Sequence, residues 1–178
     1  ETVTMANKTW SSQGRSDILI GGINLKDGKL IQSFASGTEY QETCTSLSIS
    51  ASGDLFIGGQ FEKDLEMDQL KANGTADVFI ATLNATFEVE QLISFGGVQQ
   101  DRINKITVID QFLYMLGDFY HNIEFDSTTF NAIGKSDFFI AKQELSYFGE
   151  ETISNDLHLT VFPNPTKNRI TLLLPLSI

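Results

Sequence analysis

Gly74-Thr-Ala-Asp-Val-Phe-Ile80 is met twice more in the chain, as Gly14-Arg-Ser-Asp-Ile-Leu-Ile20 and as Gly134-Lys-Ser-Asp-Phe-Phe-Ile140. The copies stand 60 residues apart, and in each an aspartate three places after a glycine opens an apolar run. A fixed period of that length means one structural unit copied along the chain. The likeness spreads outward from these three places. Leu55-Phe-Ile-Gly-Gly-Gln-Phe61 matches Leu113-Tyr-Met-Leu-Gly-Asp-Phe119, and Ser33-Phe34 aligns with Ser94-Phe95. Leu47 and Ile49 align with Ile106 and Val108, and Asp64-Leu-Glu-Met-Asp68 with Asn122-Ile-Glu-Phe-Asp126. Val3-Thr-Met5 reads as the remnant of that last element, which places residue 1 inside a unit.

One whole unit, between Thr43 and Gly97, contains four short strand candidates: 46–50, 55–61, 77–83 and 88–95. Period-two alternation, short apolar runs and Gly, Asn or Asp punctuation are strand signals, and no helical spacing is sustained. Ser52-Gly53-Asp54 has the residues of a tight turn between the first two strands, and Asn84-Ala85-Thr86 those of a turn between the last two. The fold class is therefore all-β, built from repeated four-stranded antiparallel sheets. Such sheets repeated every 40 to 60 residues or so are the signature of β-propeller blades.

The Gly-x-x-Asp-apolar-Phe-Ile-Ala pattern, closed by Ser94-Phe-Gly-Gly97, resembles the bacterial seven-bladed β-propeller repeat family. The resemblance covers residues 1–149 as about two and a half blades, near 1–37, 43–97 and 103–149. The first departs from the pattern, with Gly21-Gly22 where the others have Ala81-Thr82 and Ala141-Lys142. Fewer than about four blades do not close a ring, so the sequence is expected to be a slice of a longer polypeptide. The family is mostly extracellular, which implies the same setting here.

After residue 149 the pattern gives way to a polar stretch, 150–157, read as a linker. The tail from His158 reads as a strand, a rigid Pro163-Asn164-Pro165 bend and a second strand, because each proline fixes its own φ and extends its neighbour. The segment Phe162-Pro163-Asn164-Pro165, followed by Ile170 and Leu172, resembles the start of the type A C-terminal sorting domain of the type IX secretion system. That resemblance implies a protein of Bacteroidota exported to the outer cell surface or the medium, with the secretion machinery as a partner. The family's domain runs several tens of residues further than this copy.

Twelve basic residues against 23 acidic give a net charge of −11, which disfavours nucleic acid and anionic membrane as partners. No apolar run approaches the roughly 20 residues that span a bilayer as a helix. The recurring Asp17, Asp77 and Asp137 are the first candidates for chemistry, as a ring lining a channel or holding cations. One copy per unit is instead what architecture demands, with each carboxylate accepting backbone N–H groups where the chain enters its strand. Gly14, Gly74 and Gly134 belong to the same structural motif. Asp64, Glu66 and Asp68 form the best metal candidate; on an extended strand they share one face about 6–7 Å apart. Calcium loops converge their ligands more tightly, so this set reads as the charged outer face of an edge strand.

His121 is placed in a loop and His158 in the tail, without metal-ligand spacing, and Cys44 is the lone cysteine. No nucleophile elbow or phosphate loop occurs. No catalytic residue, metal or cofactor is therefore expected. The chain reads as a non-catalytic propeller that binds or scaffolds an unidentified protein or glycan at the cell surface. The alternative is the propeller portion of an extracellular hydrolase whose catalytic residues lie outside this sequence.

Overall fold

Asp77–Leu83 is apolar almost throughout because it forms a central strand covered on both faces, and all seven of its residues are buried. Leu55–Phe61 on one side of it is buried at all but Gln60, whereas Val89–Phe95 on the other side is buried only at Phe95. The computed structural model describes residues 1–67, 70–125, 128–145 and the backbone of 158–162. Its strands are β1 (Thr2–Met5), β2 (Lys8–Ser11), β3 (Ile18–Ile23), β4 (Leu30–Ser36), β5 (Glu42–Ile49), β6 (Leu55–Phe61) and β7 (Asp64–Leu65). They continue with β8 (Leu70–Lys71), β9 (Asp77–Leu83), β10 (Val89–Phe95), β11 (Asp101–Ile109), β12 (Phe112–Phe125), β13 (Thr128–Glu144) and β14 (His158–Phe162). No helix occurs among the described residues.

The strands form antiparallel sheets in sequence order. The second sheet runs β5-β6-β9-β10, with the small hairpin β7–β8 standing between β6 and β9. The third runs β11-β12-β13-β14. Its hairpin is continuous with the sheet: Asn122–Phe125 pairs with Thr128–Asn131 beyond a bulge at His121, whose φ is 68°. His121 is thus a bulge residue inside a strand and not a loop residue. The first sheet has two strands, β3 and β4, preceded by the hairpin β1–β2. The strand foreseen at His158 lies beside β13, with Phe162 opposite Phe138, where Phe95 stands opposite Val78 in the second sheet. Residues 146–157 and 163–178, including Pro163, Asn164 and Pro165, lie outside the described residues.

Register shows how deep the repeat goes. Phe61, Gly59 and Gly58 face Asp77, Phe79 and Ile80; Phe119, Gly117 and Leu116 face Asp137, Phe139 and Ile140. The alignment of Ser33-Phe34 with Ser94-Phe95 is corrected by the same criterion. Phe34 faces Ile20 as Ile93 faces Ile80, so Phe34 corresponds to Ile93 and Gly37 to Gly96. Two adjacent Ser-Phe pairs shifted by two residues look alike in sequence; only pairing separates them. The expected turns are in place. Gly53 has φ 97° with its N–H on the Ser50 carbonyl at 3.1 Å, and Asn84 Oδ1 accepts the N–H groups of Thr86 and Glu88.

The core lies between sheets. Ile18, Ile57, Phe61, Leu65, Phe79 and their neighbours fill the space between the first and second sheets. Val78, Ile80, Phe95, Ile106, Phe119 and Phe139 are among those filling the next layer, between the second and third. Phe95, Phe125 and Phe139 stack edge-on or tilted with centroids 4.4 to 5.9 Å apart. Gly117 permits this, because a Cβ there would lie 2.5 Å from the Phe139 ring. The layers are also joined by hydroxyls. Ser46 and Ser48 of β5 accept the Ile106 and Val108 N–H groups on the free edge of β11 at 3.1 and 2.9 Å, and Thr45 donates to the Ile103 carbonyl at 2.7 Å.

Replacing Phe139 by Ala removes the ring on which Phe95 and Phe125 rest, and is expected to cost about 3–5 kcal/mol. Val3→Ala, at a position 52% exposed, should change stability by less than about 0.5 kcal/mol. Urea unfolding of the two variants checks the pair.

Candidate functional site: the carboxylate junctions

Where one sheet hands over to the next, the chain turns tightly and leaves N–H groups that need acceptors. The recurring aspartates supply them. Asp17 Oδ2 accepts from the Gln13 N–H at 2.6 Å, Asp77 Oδ2 from the Asn73 N–H at 2.8 Å, and Asp137 Oδ2 from the Ile133 N–H at 2.8 Å. In all three the donor is four residues earlier. Asp77 Oδ1 takes a second N–H, from Gly74, at 3.3 Å. Gly14 and Gly74 sit beneath the following loop: a Cβ on Gly14 would lie 2.5 Å from the Tyr40 carbonyl, and one on Gly74 the same distance from that of Gly97. Gly134 has no atom that close among the described residues.

A second carboxylate completes the first and the second junction, and no motif in the sequence singles it out. Glu42 accepts the Thr38 N–H at 3.2 Å and the Thr38 hydroxyl, and Asp101 Oδ2 accepts the Gly97 N–H at 2.6 Å. Both again reach four residues back, and both have their own N–H on the preceding unit: Glu42 on the Ser16 carbonyl and Asp101 on that of Ala76, each at 2.9 Å. The signal was present in the sequence as an acid opening β5 and another opening β11. It was hidden by the change from Glu to Asp.

Gly96 holds the second junction together. A Cβ on it would stand 2.6 Å from Asp77 Oδ1 and 2.9 Å from Asp101 Oδ2, so two carboxylates converge on the one place where only hydrogen fits. Asp77 is 1% exposed and Asp101 not exposed at all, and among the described residues no group lies within hydrogen-bond geometry of Asp101 Oδ1. Burial pushes the Asp101 carboxyl up to about 7, against the pull of the Gly97 and Tyr120 N–H groups and with the Asp77 and Asp118 charges adding to the rise. Burial also raises Asp77, opposed by the Asn73 and Gly74 N–H groups. Glu42 is raised by burial as well, with Thr38 opposing and the Asp17 and Glu66 charges reinforcing it.

The acidic set foreseen as a strand face is arranged otherwise. β7 ends at Leu65, so Glu66 lies in the turn that follows and not on an extended strand shared with Asp64; Asp68 lies outside the described residues. Leu65 is fully buried. Glu66 reaches back to the first junction, where its Oε2 accepts the Gly37 N–H at 3.0 Å. Glu124, its counterpart, uses its backbone N–H on the Gly96 carbonyl at 3.3 Å. Among the described residues no three His, Cys, Asp or Glu side chains are grouped so as to hold a metal ion.

Cys44 is partly buried against the first core layer, and its thiol, raised by burial, donates to the Ser46 carbonyl at 3.7 Å. The chemistry of these junctions is the holding of loops. A comparison with known protein families and with curated proteins finds no match to this chain. Among the described residues no helix is long and apolar enough to cross a membrane.

Two outcomes follow from the junction geometry. Folded Asp101 keeps its proton up to about pH 7, whereas an unfolded aspartate releases it near its ordinary value of 3.8. The folded chain therefore binds the extra proton between those values. Stability contributed by this group falls as pH rises through that window, by at most about 1.4 kcal/mol per unit, and levels off above it. Asp101→Asn should flatten this dependence in urea titrations at pH 4.5 to 8, while wild-type stability declines. Asp77→Ala leaves two N–H groups without acceptors and should cost about 1–3 kcal/mol in the same assay.

Proposed function

We propose that the chain is part of a non-catalytic, secreted or cell-surface β-propeller that binds or scaffolds a protein or glycan, delivered by type IX secretion. The observation that carries the reading is the use made of the recurring acids. Asp17, Asp77, Asp137, Glu42 and Asp101 are each occupied with backbone N–H groups four residues earlier. Groups spent on holding loops at every repeat are the mark of a platform. Four-stranded antiparallel meanders that follow one another in chain order and pack face to face support a propeller arrangement. Export rests on the resemblance of Phe162-Pro163-Asn164-Pro165 to the sorting-domain opening. The acidic surface suits a soluble extracellular protein.

The test is to tag the encoded protein at its own chromosomal position and fractionate cells with and without a working type IX apparatus. Surface or medium localisation that collapses to the periplasm in the secretion-defective strain is expected. Equal distribution in the two strains would remove the export reading.

A further inference from the structure

The residue before the junction glycine differs in each unit: Gln13, Asn73 and Ile133. Each gives its backbone N–H to the aspartate four residues on, at 2.6, 2.8 and 2.8 Å. The junction therefore uses the main chain at this place and asks nothing of the side chain. Asn73-Gly74 is the one Asn-Gly pair in the chain, and Asn73 is exposed. In such a pair the glycine nitrogen can attack the asparagine side-chain carbonyl carbon, since no Cβ on the glycine blocks the approach. The reaction needs a glycine N–H that can lose its proton and a backbone free to turn. Both are restrained here. The Gly74 N–H is held on Asp77 Oδ1 at 3.3 Å, beside the Asn73 N–H on Oδ2 at 2.8 Å. An amide beside a carboxylate is harder to deprotonate, because the anion formed would face a second negative charge. The Thr75 and Ala76 N–H groups are held in turn on the Gln99 carbonyl, at 3.2 and 3.5 Å. The Gly97 and Gln99 carbonyls lie close over Gly74, where a Cβ would stand 2.5 and 2.4 Å from them. Four consecutive N–H groups are thus fixed around the reactive pair.

We propose that Asn73 is a covalent modification site, converted to aspartate and isoaspartate through a cyclic imide with Gly74, and that Asp77 holds the conversion back. The Gly74 nitrogen gives its proton to solvent base and bonds to Asn73 Cγ. The bond from Cγ to Nδ2 breaks, and Nδ2 leaves as ammonia with a proton drawn from water. Water then opens the ring at either carbonyl, giving aspartate or isoaspartate. In the imide the Gly74 nitrogen has no proton left for Asp77. Opening to isoaspartate adds a methylene to the main chain beneath the Gly97 and Gln99 carbonyls. The conversion therefore loosens the joint between the second and third sheets, where the Asp101 N–H meets the Ala76 carbonyl at 2.9 Å. The other two units are free of this chemistry. Ile133 has no carboxamide, and Gln13 would have to close a six-membered ring, which forms more slowly. The inference rests on the second junction alone and stands whether or not the sheets belong to a closed ring.

The whole chain is kept at pH 8, in native buffer and in urea, and sampled over time by mass spectrometry of the tryptic segment 72–102. That segment also contains Asn84 as an internal reference. Conversion at Asn73 is expected at least tenfold more slowly in the folded chain than in the unfolded one. Asp77→Asn in native buffer should speed it at least fivefold, while Asp137→Asn, the same change at another junction, leaves the rate as it is. Asn73→Gln should abolish conversion and keep the urea midpoint, because glutamine already fills this place in the first unit. Equal rates in the folded and unfolded chain overturn the proposal. So does equal acceleration by Asp137→Asn, which assigns the protection to global stability. Amide hydrogen exchange in the unchanged chain tests the restraint without a substitution. The Asn73 and Gly74 amides should exchange at least tenfold more slowly than in urea, and free exchange at either overturns the role of Asp77.

Discussion

Sheet-on-sheet packing is the constraint from which the other features follow. Each four-stranded sheet has two faces, and a central strand such as β9 keeps both of them dry only if a sheet lies on each side. Phe79 turns to one layer while Val78 and Ile80 turn to the other, and all three are buried. That demand explains the apolar run with no alternation. It also explains the glycines on the neighbouring strands. Gly59 and Gly117 lie opposite the phenylalanines, and a side chain at either would drive the ring away from the layer it fills. Close packing leaves no slack for such a shift.

Bringing sheets this close forces the connecting loops under one another, and buried loops carry N–H groups that water cannot reach. A carboxylate is an effective acceptor for such groups but loses solvation on burial. The balance differs between the two acids at the second junction. Asp77 takes two N–H groups, which oppose the rise that burial causes. Asp101 has one oxygen with no group among the described residues in hydrogen-bond geometry, and Asp77 for a neighbour, and its carboxyl is held up to about 7. A proton on Asp101 relieves repulsion that two full charges on either side of Gly96 would create. At the first junction the same place is taken by Glu42, whose longer side chain also reaches the Thr38 hydroxyl.

How far this was legible in the sequence depends on which interaction fixed each element. β6 and β9 were readable to the residue, since their apolar runs are bounded by turn residues and nothing distant competes with them. β5 begins earlier than its alternation suggests, at Glu42, because its opening residues are held by contacts with Ser16 and Thr38 in the preceding unit. The hairpin β7–β8 was read as part of one extended strand. Its separation from β6 follows from Lys63, ahead of β7, whose φ of 56° redirects the chain, and a lysine gives no hint of a left-handed backbone. His121 repeats that conformation on β12, again without a compositional cue. Asp17, Asp77 and Asp137 were legible because their partners are local, four residues away. Glu42 and Asp101 escaped because their meaning lies in the neighbouring sheet.

The hairpins themselves are drawn into the stacking. Glu66, at the turn after β7, is tied to Gly37 in the preceding unit, and Glu124 near the tip of β12 to Gly96. Each hairpin therefore straps its own sheet to the one before it, and a change there loosens two units at once. The turn at Ala85 is likewise tied, through its carbonyl, to the Gln32 side chain of β4 at 2.7 Å. Turns without such ties are different. A Cβ at Gly28 or at Gly53 would meet no atom within 4 Å, and both glycines have a positive φ set by the turn alone. A substitution beside either glycine disturbs no packed layer, whereas one in a hairpin acts on two sheets.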